Sequence, residues 1–132
     1  MKRAKGFTLI ELMITVAIVA IISAVAYPSY IGYVQRTNVK SLQADLISAV
    51  ADADAYRARN FTYTGWVVPP SLSGSESFTV TPAITSAGRV LTIRAVPKSS
   101  MSGSGALAID SLGQNCHDTS SDTSCTLGTD TW

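Results

Sequence analysis

Few side chains in this 132-residue sequence could do chemistry, and their spacing narrows what that chemistry would be. His117 is the single histidine, and Cys116 and Cys125 are the two cysteines, with Asp118 and Asp122 between them. Structural zinc asks for four nitrogen or sulfur donors, and neither a CxxC spacing nor a second histidine is present. Asp118 and Asp122 offer calcium two carboxylates and little more. A Ser-His-Asp hydrolase could be drawn from His117 and one of many serines, but nothing in a polar Ser/Thr/Asp run fixes the geometry it needs. No glycine-rich phosphate loop follows a strand. The sequence therefore reads as that of a non-enzyme without cofactor. The acid in the least expected place is Glu11, inside a stretch from Phe7 to Tyr27 in which 17 of 21 residues are apolar. An acid in a membrane costs about 2.5–3.5 kcal/mol at mid-bilayer and somewhat less near an edge. Either Glu11 reaches water, or it is protonated, or it meets a cation. Cleavage between Gly6 and Phe7 would create such a cation, the new α-amino group, at i to i+4 on the same helix or on a neighbouring chain.

The element that must hold Glu11 is the apolar stretch itself. As a helix, Phe7–Tyr27 is about 31 Å long, enough to cross a bilayer core. Lys2, Arg3 and Lys5 precede it without an accompanying acid, which predicts an N-inside, C-outside orientation and an exported remainder. A secretory signal cut near Ala24 or Ala26 is the alternative, although the stretch is long for one and carries Glu11. The formal charge of +1 divides accordingly: without residues 1–6, seven bases face nine acids. A subunit of −2 does not favour nucleic acid, so DNA is a weak candidate partner, suggested by Arg57 and Arg59 among Tyr56, Phe61, Tyr63 and Trp66. The same cations suit the end of a helix, where they complement its dipole. Export places Cys116 and Cys125 where disulfides persist, which makes a bridge between them the leading reading.

Pro28 follows the apolar run, with Gly32 beyond it, and predicts a kink or weak point in a helix that otherwise continues. From Tyr33 to Thr64 there is no Gly or Pro, and Ile31, Val34, Leu42, Leu46, Ala49, Val50, Ala53 and Tyr56 fall in one arc of about 160°. A helix from Phe7 to about Arg59 would be roughly 80 Å long, so half of it is expected to protrude from a domain this small. From Ser71 onward, 28 of 62 residues are Ser, Thr or Gly. Alternating runs at Ser77–Pro82, Val90–Val96 and Ala106–Asp110, separated by turn signals, predict an antiparallel meander covering the helix stripe. The fold class is α+β, with Phe61–Leu72 as the connecting loop.

The run Lys5-Gly6-Phe7-Thr8-Leu9-Ile10-Glu11-Leu12-Met13 resembles the processing signature of the type IV pilin family, with a short class III leader. The resemblance implies three segments: a cleaved leader over 1–6, a transmembrane and filament-core helix over 7–28, and a globular domain over 29–132. It implies cleavage after Gly6 by a prepilin peptidase, N-methylation of Phe7, and pairing of Glu11 with the amine of an adjacent subunit as a register device. The implied partners are other pilin subunits, the inner membrane before assembly, and the pilus assembly machinery, with the surface filament as destination. Leu107–Gly113 and the terminal Trp132 resemble PilE-like minor pilins, although Thr131-Trp132 stands where Cys-Trp is usual. The implied role is a minor pilin serving adhesion, twitching motility or pilus biogenesis. A major pilin, a type II secretion pseudopilin, a DNA-uptake minor pilin and an anchored exoplasmic module that never polymerises are the alternatives. Mass spectrometry of the purified protein should find an N-methylated Phe7 at its N-terminus, and any other mature terminus removes the basis of this reading.

Overall fold

The computed structural model describes residues 6–129 together with 131 and 132, so the leader cations Lys2, Arg3 and Lys5 lie outside the described residues. The chain divides into two compact units, Met1–Val34 and Gln35–Trp132. Helix α1 runs Leu9–Asn60 and contains Pro28 without interruption of its helical state. A short helix α2 (Pro70–Ser73) interrupts the expected connecting loop. Strands β1 (Phe78–Thr85), β2 (Val90–Pro97), β3 (Ala106–Asp110) and β4 (Asn115–Asp118) follow, with a 3-10 turn at Ser99–Met101 between β2 and β3. The sheet order is β1-β2-β3-β4 and every pairing is antiparallel, which is the expected meander.

In the first unit the helix has no core of its own. From Leu9 to Ile22 each large apolar side chain is at least half exposed, all around the helix. In the second unit the stripe finds its partners. Leu42, Leu46, Ala49 and Ala53 are buried, and they share one core with Phe78, Leu91, Ile93, Ala95, Leu107 and Ile109 from the sheet. Val50 and Tyr56 pack against it from its margin, and Val39 joins it. Ile31, by contrast, is exposed. A four-residue repeat carries Leu42, Leu46 and Val50 along one side of the helix, while Arg36 and Lys40 are exposed.

Three differences from the expected sheet have physical causes. β1 extends to Thr85 because the Ser86-Ala87-Gly88 turn, all three at positive φ, closes one residue before Arg89. β4 lies outside the three alternating runs. Its sequence, Asn-Cys-His-Asp, carries no alternating apolar signal, and its strand conformation comes from pairing with β3, Leu107 to His117 and Ala108 to Cys116. β3 is buried throughout, on both faces, although its sequence predicts one. Leu107 and Ile109 face the core, and Ala106 and Ala108 lie on the face of Cys116. Pro82, in edge strand β1, opposes Ile93. The Lys98 N–H donates to the Ser77 carbonyl at 3.0 Å, so by alternation residues 79, 81 and 83 turn their backbone groups toward β2 and Pro82 turns away. The missing N–H therefore costs the ladder nothing, and it blunts an exposed edge.

The β1–β2 turn also fastens the segment after α1. The Gly88 carbonyl accepts the Tyr63 N–H at 2.9 Å and the Thr62 hydroxyl at 3.2 Å. Gly88 has φ +83, and a Cβ there would fall on the hydroxyls of Thr62 and Thr64. Gly88→Ala should lower stability by about 1–3 kcal/mol, the range for a residue forced into a sparsely populated backbone region. Thermal unfolding of the full chain in detergent, followed by near-ultraviolet dichroism, reads the shift; an unchanged midpoint would mean this clamp holds nothing.

Candidate functional site

The residues singled out at the N-terminus lie together in sequence and are open to solvent. Gly6, Phe7 and Thr8 precede the first helical residue, Leu9, and Phe7 is 83% exposed. The Gly6–Phe7 bond thus lies in non-helical backbone. A Cβ built on Gly6 meets no atom within 4 Å, so nothing among the described residues requires glycine there. The same holds for Gly32, whose place in α1 is undisturbed.

Glu11 has a structural role that its charge alone does not suggest. Its N–H donates to the Thr8 hydroxyl at 3.3 Å, and the Thr8 N–H reaches Glu11 Oε2 at 3.5 Å. This reciprocal arrangement is a capping box, with Thr8 as N-cap and Glu11 at N3. The signal for it, Thr-x-x-Glu ahead of an apolar run, is legible in residues 8–11. The carboxylate stabilises the positive end of the helix dipole and satisfies an amide that has no partner inside the helix. At 3.5 Å the contact to Oε2 is loose, and Oε1 has no hydrogen-bond partner among the described residues. An acceptor on Glu11 is therefore available to an incoming cation. The helix behind it contains an 18-residue window of mean hydropathy 2.6, none of it buried, long and apolar enough to cross a membrane.

At the other end of the chain, Cys116 and Cys125 are joined in a disulfide with Cα atoms 6.0 Å apart. In the chain-entropy account, a loop of this size gains roughly 2.5–3 kcal/mol from closure. The carboxylates considered for calcium have other work. Asp122 accepts the N–H groups of Gly103 at 2.6 Å and Gly105 at 2.9 Å, and the Ser102 hydroxyl at 3.3 Å. Asp118 accepts the N–H and hydroxyl of Ser120 at 2.9 and 2.6 Å. His117 Nε2 lies 2.8 Å from the Ser104 carbonyl, which can only accept, so Nε2 carries the proton. These bonds tie the disulfide loop to the β2–β3 connection. No group of three or more His, Cys, Asp or Glu side chains among the described residues is arranged to hold a metal ion. Asp110, which the sequence did not single out, is buried and accepts the N–H groups of Leu112 and Gln114 at 2.9 and 2.8 Å, building the β3–β4 turn. Trp132 packs against the core, and its N–H donates to Asn115 Oδ1 at 3.2 Å.

The basic-aromatic set near the end of α1 is divided by the fold. Tyr63 and Trp66 are buried, with the Tyr63 hydroxyl donating to Asp54 at 2.6 Å and the Trp66 indole to Asp52 at 2.9 Å. Arg57 lies over the Tyr63 ring, 5.1 Å from its centroid, and Arg59 Nε donates to the Ala55 carbonyl at 3.2 Å. Phe61 stays exposed, at positive φ. The set thus fastens a loop to a helix, and it does not form one aromatic platform.

The amides of Gly103 and Gly105, then the Ser102 hydroxyl, hold the Asp122 carboxyl below the usual carboxylate range. A depressed value in the folded state stabilises the loop above the ordinary aspartate value of about 3.9, and the gain is lost as pH falls through the folded value. Amide exchange at Gly103 and Gly105, corrected for its intrinsic pH dependence, should therefore stay protected from pH 7 to pH 4 and accelerate below. In Asp122→Ala protection should be lost at all pH values; protection in that variant equal to wild type would remove Asp122 from this role.

Residues 1–27 match the family model described as the prokaryotic N-terminal methylation motif. The chain is 44% identical over 64 residues to the type IV wide pilus major component PilA4 of Thermus thermophilus, a match covering 48% of this chain and 49% of that protein. The chain thus spans about half the length of this curated relative, and a quarter of a fimbrial protein of Pseudomonas aeruginosa to which it is 62% identical over 39 residues. In fold it is similar to the Neisseria meningitidis non-core minor pilin PilV, with a TM-score of 0.56 at 16% identity over 74% of this chain and 98% of that one. In its N-terminal motif, its sequence relatives and its four-stranded meander packed on a long helix, the chain is similar to type IV pilins.

Proposed function

We infer that this chain is a structural subunit of a type IV pilus, stored in the inner membrane and then assembled through its N-terminal helix. The observation that carries the inference is the helix surface from Leu9 to Val25, apolar on all sides and unburied by anything in its own chain. Such a surface is satisfied in lipid or among like helices, and in water by neither. Membrane storage and filament assembly are those two states in turn. The expected orientation remains N-inside, C-outside, from the leader cations.

Processing fits the same residues. The exposed, non-helical Gly6–Phe7 bond is accessible to a prepilin peptidase, and the absence of any fold requirement at Gly6 suits a glycine selected by an enzyme. Cleavage would free the Phe7 amine for methylation and remove the leader over 1–6. Glu11 Oε1 then offers the acceptor through which the amine of an adjacent subunit sets axial register, since a carboxylate left unpaired in an apolar bundle is costly. Among pilus subunits we favour a minor pilin. The similarity in fold extends over nearly the whole of PilV, whereas the sequence match to the major component PilA4 is confined to 64 residues. Adhesion, twitching motility and pilus biogenesis are the roles open to such a subunit.

Glu11→Ala should leave leader cleavage intact and sharply reduce incorporation into sheared filaments. Since Ala also removes half of the capping box, Glu11→Gln is the informative companion: it keeps a hydrogen-bonding group at N3 and removes the charge. Blots of the sheared and membrane fractions distinguish the outcomes. Normal incorporation of both variants would end the register role, and a wild-type chain found wholly in the inner membrane would support a non-polymerising anchored module.

A further inference from the structure

The apolar run and the buried stripe of α1 leave one segment between them without a role. Beyond Ala26, and before the first buried residue, Val39, the helix carries Tyr27, Tyr30 and Tyr33 at three-residue spacing. Their side chains are 68%, 66% and 64% exposed, so none is taken up by a core. At 3.6 residues per turn, three-residue steps keep successive rings about 60° apart, so they line one side of the helix. A phenol ring is apolar along its body and polar at its tip, which suits neither hydrocarbon nor bulk water, and tyrosine concentrates at the boundary between the two.

We propose that Tyr27, Tyr30 and Tyr33 form an interfacial belt whose ligand is the headgroup–acyl boundary of a phospholipid bilayer, and that this belt sets the depth of the precursor in the membrane. The proposal rests on the membrane-stored precursor inferred above and adds where that helix stops. Leu9 to Tyr27 is about 28 Å of helix, and the non-helical Phe7 and Thr8 extend the run to the about 30 Å of a hydrocarbon core, so an aromatic at one boundary puts the first tyrosine at the other. The belt itself is about 9 Å long, enough to cross one headgroup layer of about 5–7.5 Å. No charged residue occurs between Glu11 and Arg36, so the charges resume just outside the belt.

The backbone points to the same level. Pro28 has no N–H, which deprives the Ala24 carbonyl of its helical partner. In hydrocarbon an unpaired carbonyl is expensive, whereas within reach of the interface water can satisfy it. The Ser29 hydroxyl donates to the adjacent Val25 carbonyl at 3.5 Å, at the edge of the belt. A break of this kind at mid-membrane would need a partner helix.

The test uses the full chain in nanodiscs of palmitoyl-oleoyl-phosphatidylcholine. Fluorotyrosine is placed at position 30 in one sample, and in another Ile18→Phe carries a fluorinated ring at the middle of the run. Fluorine relaxation is measured with a paramagnetic probe on the lipid headgroup and, separately, with one at the end of the acyl chain. The ratio of headgroup to chain-end relaxation should exceed unity at Tyr30 and fall below unity at position 18. A ratio below unity at Tyr30, or no relaxation there by either probe, overturns the belt while the position 18 result still upholds the spanning helix. If position 18 also ignores the chain-end probe, membrane spanning itself fails. In the Tyr27→Leu, Tyr30→Leu, Tyr33→Leu variant the apolar run lengthens by about 9 Å, and the ratio at position 18 should change as the helix slides or tilts. An unchanged ratio there would show that the tyrosines do not set depth.

Discussion

The packing of Leu42, Leu46, Ala49 and Ala53 on the sheet residues Leu91, Ile93 and Leu107 is the contact on which the globular unit depends. A four-stranded sheet with one polar-rich face cannot bury its apolar face by itself, and half of an amphipathic helix cannot either. Each supplies the other's missing surface. The aromatic segment after the helix is held by the same contact, because Tyr63 and Trp66 enter the core from above the last turns of α1 and anchor their polar ends on Asp54 and Asp52.

Everything beyond that core is ordered by polar bonds and one covalent link. Segments 102–105 and 117–125 contain few apolar side chains, so burial contributes little to fixing them. Asp122 bridges them through two amides and a hydroxyl, His117 adds a bond to Ser104, and the disulfide limits the freedom of the chain before folding. Placing backbone amides on a carboxylate is a compact solution in a unit too small to wrap those loops in a second core. It also explains why the acids near the two cysteines resemble a metal site in the sequence and serve as loop staples in the fold.

Along α1 the constraint is one of solvent. Helical hydrogen bonding satisfies the backbone in either lipid or water, so a single element can pass from one to the other, provided its side chains change at the boundary. The aliphatic run, the tyrosines and the amphipathic stripe are three successive answers to what surrounds the helix. Glu11 stands at the start of this series as an acid that caps its own helix and retains an acceptor oxygen.

Elements governed by side-chain periodicity or by composition are legible residue by residue. The span and end of α1, the stripe at Leu42, Leu46, Ala49 and Ala53 and the inward faces of β2 and β3 all follow from patterns contained within a few turns or one strand. The capping box at Thr8–Glu11 is legible for the same reason, since a helix cap is written in contiguous residues. What only the tertiary structure decided are the features whose cause lies elsewhere in the chain. β4 is a strand because β3 offers it an edge, β3 is buried on both faces because the disulfide segment lies over its alanines, Gly88 is required because Thr62 and Thr64 occupy the space of a side chain, and Asp122 is a loop staple because the distant amides of Gly103 and Gly105 turn toward it. Periodicity carries no information about such encounters, and they are fixed when the helix stripe and the sheet bring those segments within hydrogen-bonding distance.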